Sequence, residues 1–301
     1  MHRIYRRFAT AVATIIMIAA SAGAALPQTS SSPNVAVGPQ YDSTHVYVAA
    51  SDFDRLVSSL VATFGGTATT KGAFTVTPTP SKTYSQLTLT PAGSLSIFGF
   101  QTPIPYPFGS ERTGYLVTDI DVAVASARAH GAAVVVAPFN DAIGKDAVIE
   151  WPGGVFMQLY WHTTAPHYPA LATIPENRIY ISPDAADAFI RDFAGFAHAS
   201  LVSDVANAPG VEIGRPGATY RRVRIRSPFG DMVLIVSDGF LPYPFGREIT
   251  GYAVADLAAA LTTAVANGAT ILVPAITSDG RQSAIVDFPG GYIAELHSGI
   301  R

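Results

Sequence analysis

The chain has 301 residues, 49 % of them hydrophobic and 14 % charged, with a formal net charge of −3 and no cysteine. Disulfides, thiolate metal sites and a lipid on a processed N-terminal cysteine are therefore excluded, and stability must come from a buried core. A mildly acidic chain without basic clusters also argues against nucleic acid or an anionic membrane as partner.

Residues 1–24 place Arg3, Arg6 and Arg7 ahead of an uncharged run that begins at Phe8 and ends through Ala22, Gly23 and Ala24. This is the layout of a signal peptide, so cleavage near Ala25 and an exported protein, periplasmic or secreted, are expected. The run is mostly Ala, Thr, Ser and Gly, a weak anchor, and no membrane contact is expected beyond the export signal. Loss of its three arginines leaves sixteen Lys and Arg against 22 Asp and Glu, a net charge of −6. Residues 25–43, rich in Ser, Pro, Gln and Thr and without hydrophobic period, read as a flexible leader.

The folded part begins at residue 44. His45-Val46-Tyr47-Val48 alternates as a strand, and Ser51 to Asp54 open a helix whose Leu56, Leu60, Val61 and Phe64 fall at helical spacing before Gly65-Gly66. Strands are predicted at 72–76, 84–90 and 95–100, completing a βαβββ unit. The same order recurs from Gly114, with a helix at 119–130 and strands near Val134 and at 147–151 and 155–161. A third copy starts at Arg178 and a fourth at Gly251. The last two units copy the first two: PYPFGSERTGY at 105–115 returns as PYPFGREITGY at 242–252, an offset of 137 that also carries Trp151-Pro152-Gly153-Gly154 onto Phe288-Pro289-Gly290-Gly291. Solenoid arrays repeat every ~20–50 residues, so this is a duplicated fold. The expected class is α+β, four βαβββ modules paired into two cups. The first domain is placed at 44–162, the second at 177–301, and a Pro-containing linker at 163–176 joins them. Whether module one pairs with two or with four stays open.

The stretches TGYLVTDIDVAVASARAHGAAVVV (113–136) and TGYAVADLAAALTTAVANGATILV (250–273), with the closing motifs WPGGVFMQL (151–159) and FPGGYIAEL (288–296), resemble the vicinal oxygen chelate superfamily, the glyoxalase, bleomycin-resistance and extradiol dioxygenase group. The resemblance covers nearly all of the chain beyond the leader. It implies the glyoxalase-like cup but not one chemistry, since that fold hosts lyases, isomerases, dioxygenases, transferases and binding proteins. It further implies that a metal, where present, is held by the first and last strand of each module. Carried over residue by residue, the first-strand slots hold His45, Arg112, Arg178 and Ile249, and the last-strand slots Ile97, Gln158, Leu234 and Glu295. His45 and Glu295 are the good donors. They share a cup only if module one pairs with four, where His297 would complete a set suited to iron or manganese. Under neighbour pairing Glu295 instead meets Arg178 and neither cup has enough donors.

Arg112 and Arg178 are candidate anion-binding forks. Tyr106, Phe108, Tyr243 and Phe245 in the duplicated loops are candidates for an aromatic pocket mouth, or else for packing between modules. No GxSxG elbow, HExxH pair or phosphate-binding glycine loop occurs. The leading expectation is an exported small-molecule-binding protein with a degenerate metal site and no resident cofactor. The alternatives are a lyase or dioxygenase using iron, manganese or zinc on His45, Glu295 and His297, and a cell-envelope interaction module without a ligand.

Overall fold

The computed structural model describes residues 32–41, 43–164, 175–238 and 248–299. The expected signal peptide, Tyr243, Phe245 and most of the expected linker lie outside them. The first module runs β1 (Ser43–Ala49), α1 (Phe53–Phe64), the short β2 (Thr67–Ala68) and β3 (Gly72–Phe74), then β4 (Thr83–Thr90) and β5 (Gly93–Phe100). The second is β6 (Thr113–Leu116), α2 (Ile120–Ala129), β7 (Ala133–Asn140), β8 (Gly144–Trp151) and β9 (Val155–His162). The third is β10 (Glu176–Ile181), α3 (Pro183–Ala197), β11 (Ser200–Pro209), β12 (Thr219–Ser227) and β13 (Gly230–Val236). The fourth is β14 (Glu248–Ala253), α4 (Leu257–Ala266), β15 (Thr270–Ser278), β16 (Arg281–Phe288) and β17 (Tyr292–Gly299). The helix starts follow their caps. Asp119 accepts from Val122 N at 2.9 Å and Asp256, its copy, from Ala259 N at 2.9 Å.

Sheets join neighbouring modules. One has the order β2-β4-β5-β1-β6-β9-β8-β7, with β3 on β4, and the other β11-β12-β13-β10-β14-β17-β16-β15. In each, the first strand of one module runs antiparallel to that of the next, β1 on β6 and β10 on β14. Each module's last strand lies parallel to its first, which curls the sheet into a cup. The helix layer pairs the modules the other way. One core packs α2 and its strands on α3 and its strands, around Trp151, Phe189, Phe193, Phe196 and Phe229. The other packs α1 against α4 around Phe53, Leu56, Leu60, Tyr252 and Phe288. Modules one and two therefore share a cup, while modules one and four share a core.

The PGG turns serve this cross-pairing. Gly153 and Gly290 have φ of 88° and 86°, where a side chain is strained. A Cβ would also meet Ile181 at 2.7 Å in the first case and Val48 at 2.8 Å in the second, each in the module docked across the halves.

The expected leader contains a docked segment. Val35 is buried, its carbonyl accepts from Thr118 N at 2.9 Å, and Ala36 bridges Val117. The apolar run Val35-Ala36-Val37 inside the Ser- and Pro-rich stretch is the residue-level reason.

Candidate functional site

The register assigns each candidate to a cup. On β1, His45 lies beside Ser96 of β5, and its N–H bonds Arg112 O at 2.8 Å. On β6, Gly114 lies beside Gln158 of β9. The first cup thus gathers His45, Ser96, Arg112 and Gln158. In the second, Arg178 lies beside Val233 and opposite Ile249, while Gly251 lies beside Glu295. Ile97 and Leu234 are corrected by one residue: both point into the helix-side cores. The cause is the turn. Modules two and four turn on two glycines, modules one and three on one, Gly93 and Gly230, so the facing residue comes one position sooner.

The second cup is filled. Tyr180, Ile213, Tyr220, Val233, Ile235, Ile249, Val273 and Ile285 form a buried cluster inside it, and a 3-10 turn at Gly210–Ile213 plugs it. Glu295 is held there by Arg178 Nη2 at 2.8 Å and Arg281 Nη2 at 3.2 Å, with His297 Nδ1 at 3.1 Å. Arg178 also binds Glu176 at 2.9 Å and lies over Gly251, where a Cβ would stand 2.7 Å from its Nε. Glu295 and His297 therefore face a different cup from His45, and the three do not converge. About 10 Å³ of space remains, room for a single water.

The first cup is open, a cavity of about 250 Å³. Its β1–β5 wall carries the stacked rings of Tyr47 and Phe98, with centroids 5.2 Å apart, and the edge of His45 meets Phe98 at 5.5 Å. Its opposite wall carries Asp146 of β8, Gln158, Tyr160 and His162 of β9, and Asp141 of the β7–β8 turn. Phe108 closes one side. Tyr106 does not line it: this ring is 75 % exposed, edge-on to Phe156 at 6.1 Å. Arg112 donates to the carbonyls of Gly109 at 2.7 Å and Glu111 at 3.2 Å, with its guanidinium 5.7 Å from the Tyr47 ring. Both candidate arginine forks are thus engaged inside the fold.

Behind the wall sits Glu111, fully buried, which accepts from the Tyr47 hydroxyl. Its copy Glu248 is buried too, but accepts from Thr113 of the first half. Burial pushes the Glu111 and Glu248 carboxyls up to about 7. Burial, with the charge of Asp141, pushes Asp146 up to about 8 despite a hydrogen bond from Gln158. Burial and then Arg112 press the His45 imidazole down to about 3, so its 4.0 Å approach to Glu111 is not an ion pair at neutral pH.

These groups set a pH dependence. A carboxyl raised by folding stabilises fully below its unfolded value, 4.5 for Glu and 3.8 for Asp, and loses that contribution as pH rises through about 7 or 8. The depressed His45 acts only below 6.5. Thermal unfolding is therefore expected to show Tm falling from pH 6.5 to 8.5, each group contributing up to about 1.4 kcal/mol per pH unit in its range. A flat or rising Tm over that interval contradicts the assignment.

The sequence pointed to His45, Gln158 and Phe108 but not to Tyr47, Phe98, Asp141, Asp146, Tyr160 or His162. Asp146 carried a weak signal: it is in phase with the apolar Val148 on its strand, where the second half has Ser283.

At the strand positions that the resemblance assigns to a metal, this cup offers one imidazole, one amide and one hydroxyl, while the Arg112 guanidinium at the fourth is turned onto carbonyls. That set does not fit a divalent cation, since no carboxylate stands among them. Among the described residues no three His, Cys, Asp or Glu side chains are grouped to hold one.

No family model and no curated protein matches the chain. Solved structures do. A triple mutant of 4-hydroxymandelate synthase from Streptomyces coelicolor superposes with a TM-score of 0.60 at 13 % identity, over 89 % of this chain and 94 % of the other. The Mn(II)-bound glyoxalase from Novosphingobium aromaticivorans gives 0.54 at 12 % identity, over 89 % and 84 %. A 2,2',3-trihydroxybiphenyl 1,2-dioxygenase from Sphingomonas wittichii gives 0.54 at 12 %, over 87 % and 91 %. At such identities the likeness establishes the fold, which is that of the vicinal oxygen chelate superfamily.

Proposed function

We propose that the protein binds a small organic molecule in the cup of its first half, without a divalent ion at the position the fold offers one. The observation that carries this is the contrast between the duplicated cups: one keeps an open cavity walled by aromatic and polar side chains, the other is packed with aliphatic side chains and ion pairs. A cavity of about 250 Å³ lies just below the roughly 300–1,000 Å³ usual for ligand clefts, so it suits a molecule of one or two rings. The neighbours named as synthase, dioxygenase and glyoxalase support a role in small-molecule chemistry. The basic start and small-residue exit of residues 1–24 support action outside the cytoplasm, as one repeated-module protein with domains at 44–162 and 177–301. Nucleic acid and the membrane beyond the export signal are not partners in this reading.

A library of one- and two-ring compounds tested by thermal shift examines the proposal. Some compounds are expected to raise Tm, equally before and after EDTA treatment, and none to do so in Ser96→Trp. Ser96 faces the cup, whereas Leu95 and Ile97 beside it face the helix-side core, so this substitution fills the cavity and spares the core. Metal analysis is expected to find well under one iron, manganese or zinc per chain. Loss of binding with EDTA, together with one equivalent of metal that disappears in His45→Ala, would overturn the proposal in favour of a metal enzyme.

A further inference from the structure

The two walls of the first cup differ in chemistry, and the difference bears on the charge of what fits between them. On the β8–β9 side two carboxyls face the cavity, Asp146 from the strand and Asp141 from the turn before it. Asp141 is oriented by the N–H of Ile143 at 2.9 Å and by that of Gly144. On the β1–β5 side the cavity is lined by Tyr47 and Phe98, whose rings stack on each other. Among the described residues no Lys or Arg lines the cavity. Arg112, the nearest guanidinium, is turned onto carbonyls.

The imidazole of His45 lines the cavity at 3 % exposure; its Nδ1 has no hydrogen-bond partner and stands 4.0 Å from Glu111 Oε1. An anion entering here would lose its hydration against two carboxyls and gain no counter-charge. A cation gains from the carboxyls, while an uncharged ring attached to it packs against the apolar wall.

We infer that the ligand of the first cup is an organic cation of one or two rings, its charge lodged at Asp141 and Asp146 and its ring against Tyr47 and Phe98. The inference rests on the reading of this cup as the ligand site. A bound cation also lowers the cost of ionising Asp146, which burial first and then the charge of Asp141 raise.

The test is isothermal titration at pH 7.5 with benzamidinium, benzamide and benzoate, which share a ring and shape and differ in charge. Benzamidinium is expected to bind about tenfold or more tightly than benzamide, with benzoate undetected. The preference is expected to collapse in Asp146→Asn, with fold checked by circular dichroism. Should that variant not fold, Asp141→Asn gives the same readout. Benzamide or benzoate binding as tightly as benzamidinium, with the heat abolished by Ser96→Trp, overturns the cation inference and leaves the cup a ligand site. Absence of heat from all three also overturns the inference, and the compound library then decides the underlying reading by itself.

Discussion

Phe193→Ala is expected to destabilise the protein by about 3–5 kcal/mol, measured by urea unfolding. Phe193 is fully buried on α3, stacks on Phe189 at 5.6 Å and meets Trp151 of the second module edge-on at 5.9 Å. Trp151 in turn packs on Phe196 at 5.3 Å, so the deletion opens a cavity at the seam between the halves. The cost should appear as a lower midpoint with unchanged denaturant slope, the sign of one cooperative unit. A loss under about 1 kcal/mol would mean that this aromatic seam relaxes around the gap and does not hold the halves together.

Arg178→Met is expected to cost a similar amount, about 3–5 kcal/mol, for a different reason. Arg178 and Glu295 are both nearly inaccessible, and removal of the guanidinium leaves Glu176 and Glu295 to share Arg281, with His297 beside Glu295. The partner change predicts the sign of a rescue. Arg178→Met combined with Glu295→Leu should be more stable than Arg178→Met alone, because the surrounding cup is already apolar at Val233, Ile235 and Ile249. A double variant less stable than the single one would show that Arg281 and His297 still compensate Glu295 without Arg178.

The architecture was legible in the chain because two periodicities and one repeat agree. Alternation marked His45 to Val48, helical spacing marked Leu56 to Phe64, and the 137-residue offset aligned the copies. Pairing was not legible, and its physical reason is that both pairings exist: sheets follow neighbours, helix cores cross the halves. Each surface of a module is apolar enough to need a partner, so composition alone cannot say which partner covers which face. Most of the site was hidden for the same cause. Tyr47 and His45 alternate onto one face in any strand reading, but that this face meets Asp146 and Gln158 follows only from β1 joining β6. The repeat held a further clue. Ser96, Asp146 and Gln158 in the first half correspond to Val233, Ser283 and Glu295 in the second, and the cup that stayed open is the one in which these positions do not pair charge or fill space.

The most direct measurement of the central claim is amide chemical-shift mapping of a compound that raises Tm. Perturbations are predicted at Tyr47, Ser96, Asp146 and Gln158 around the open cup, with the amides of Tyr180, Val233 and Glu295 unmoved. Perturbations centred on Tyr180, Val233 and Glu295, with the first cup silent, would contradict the account.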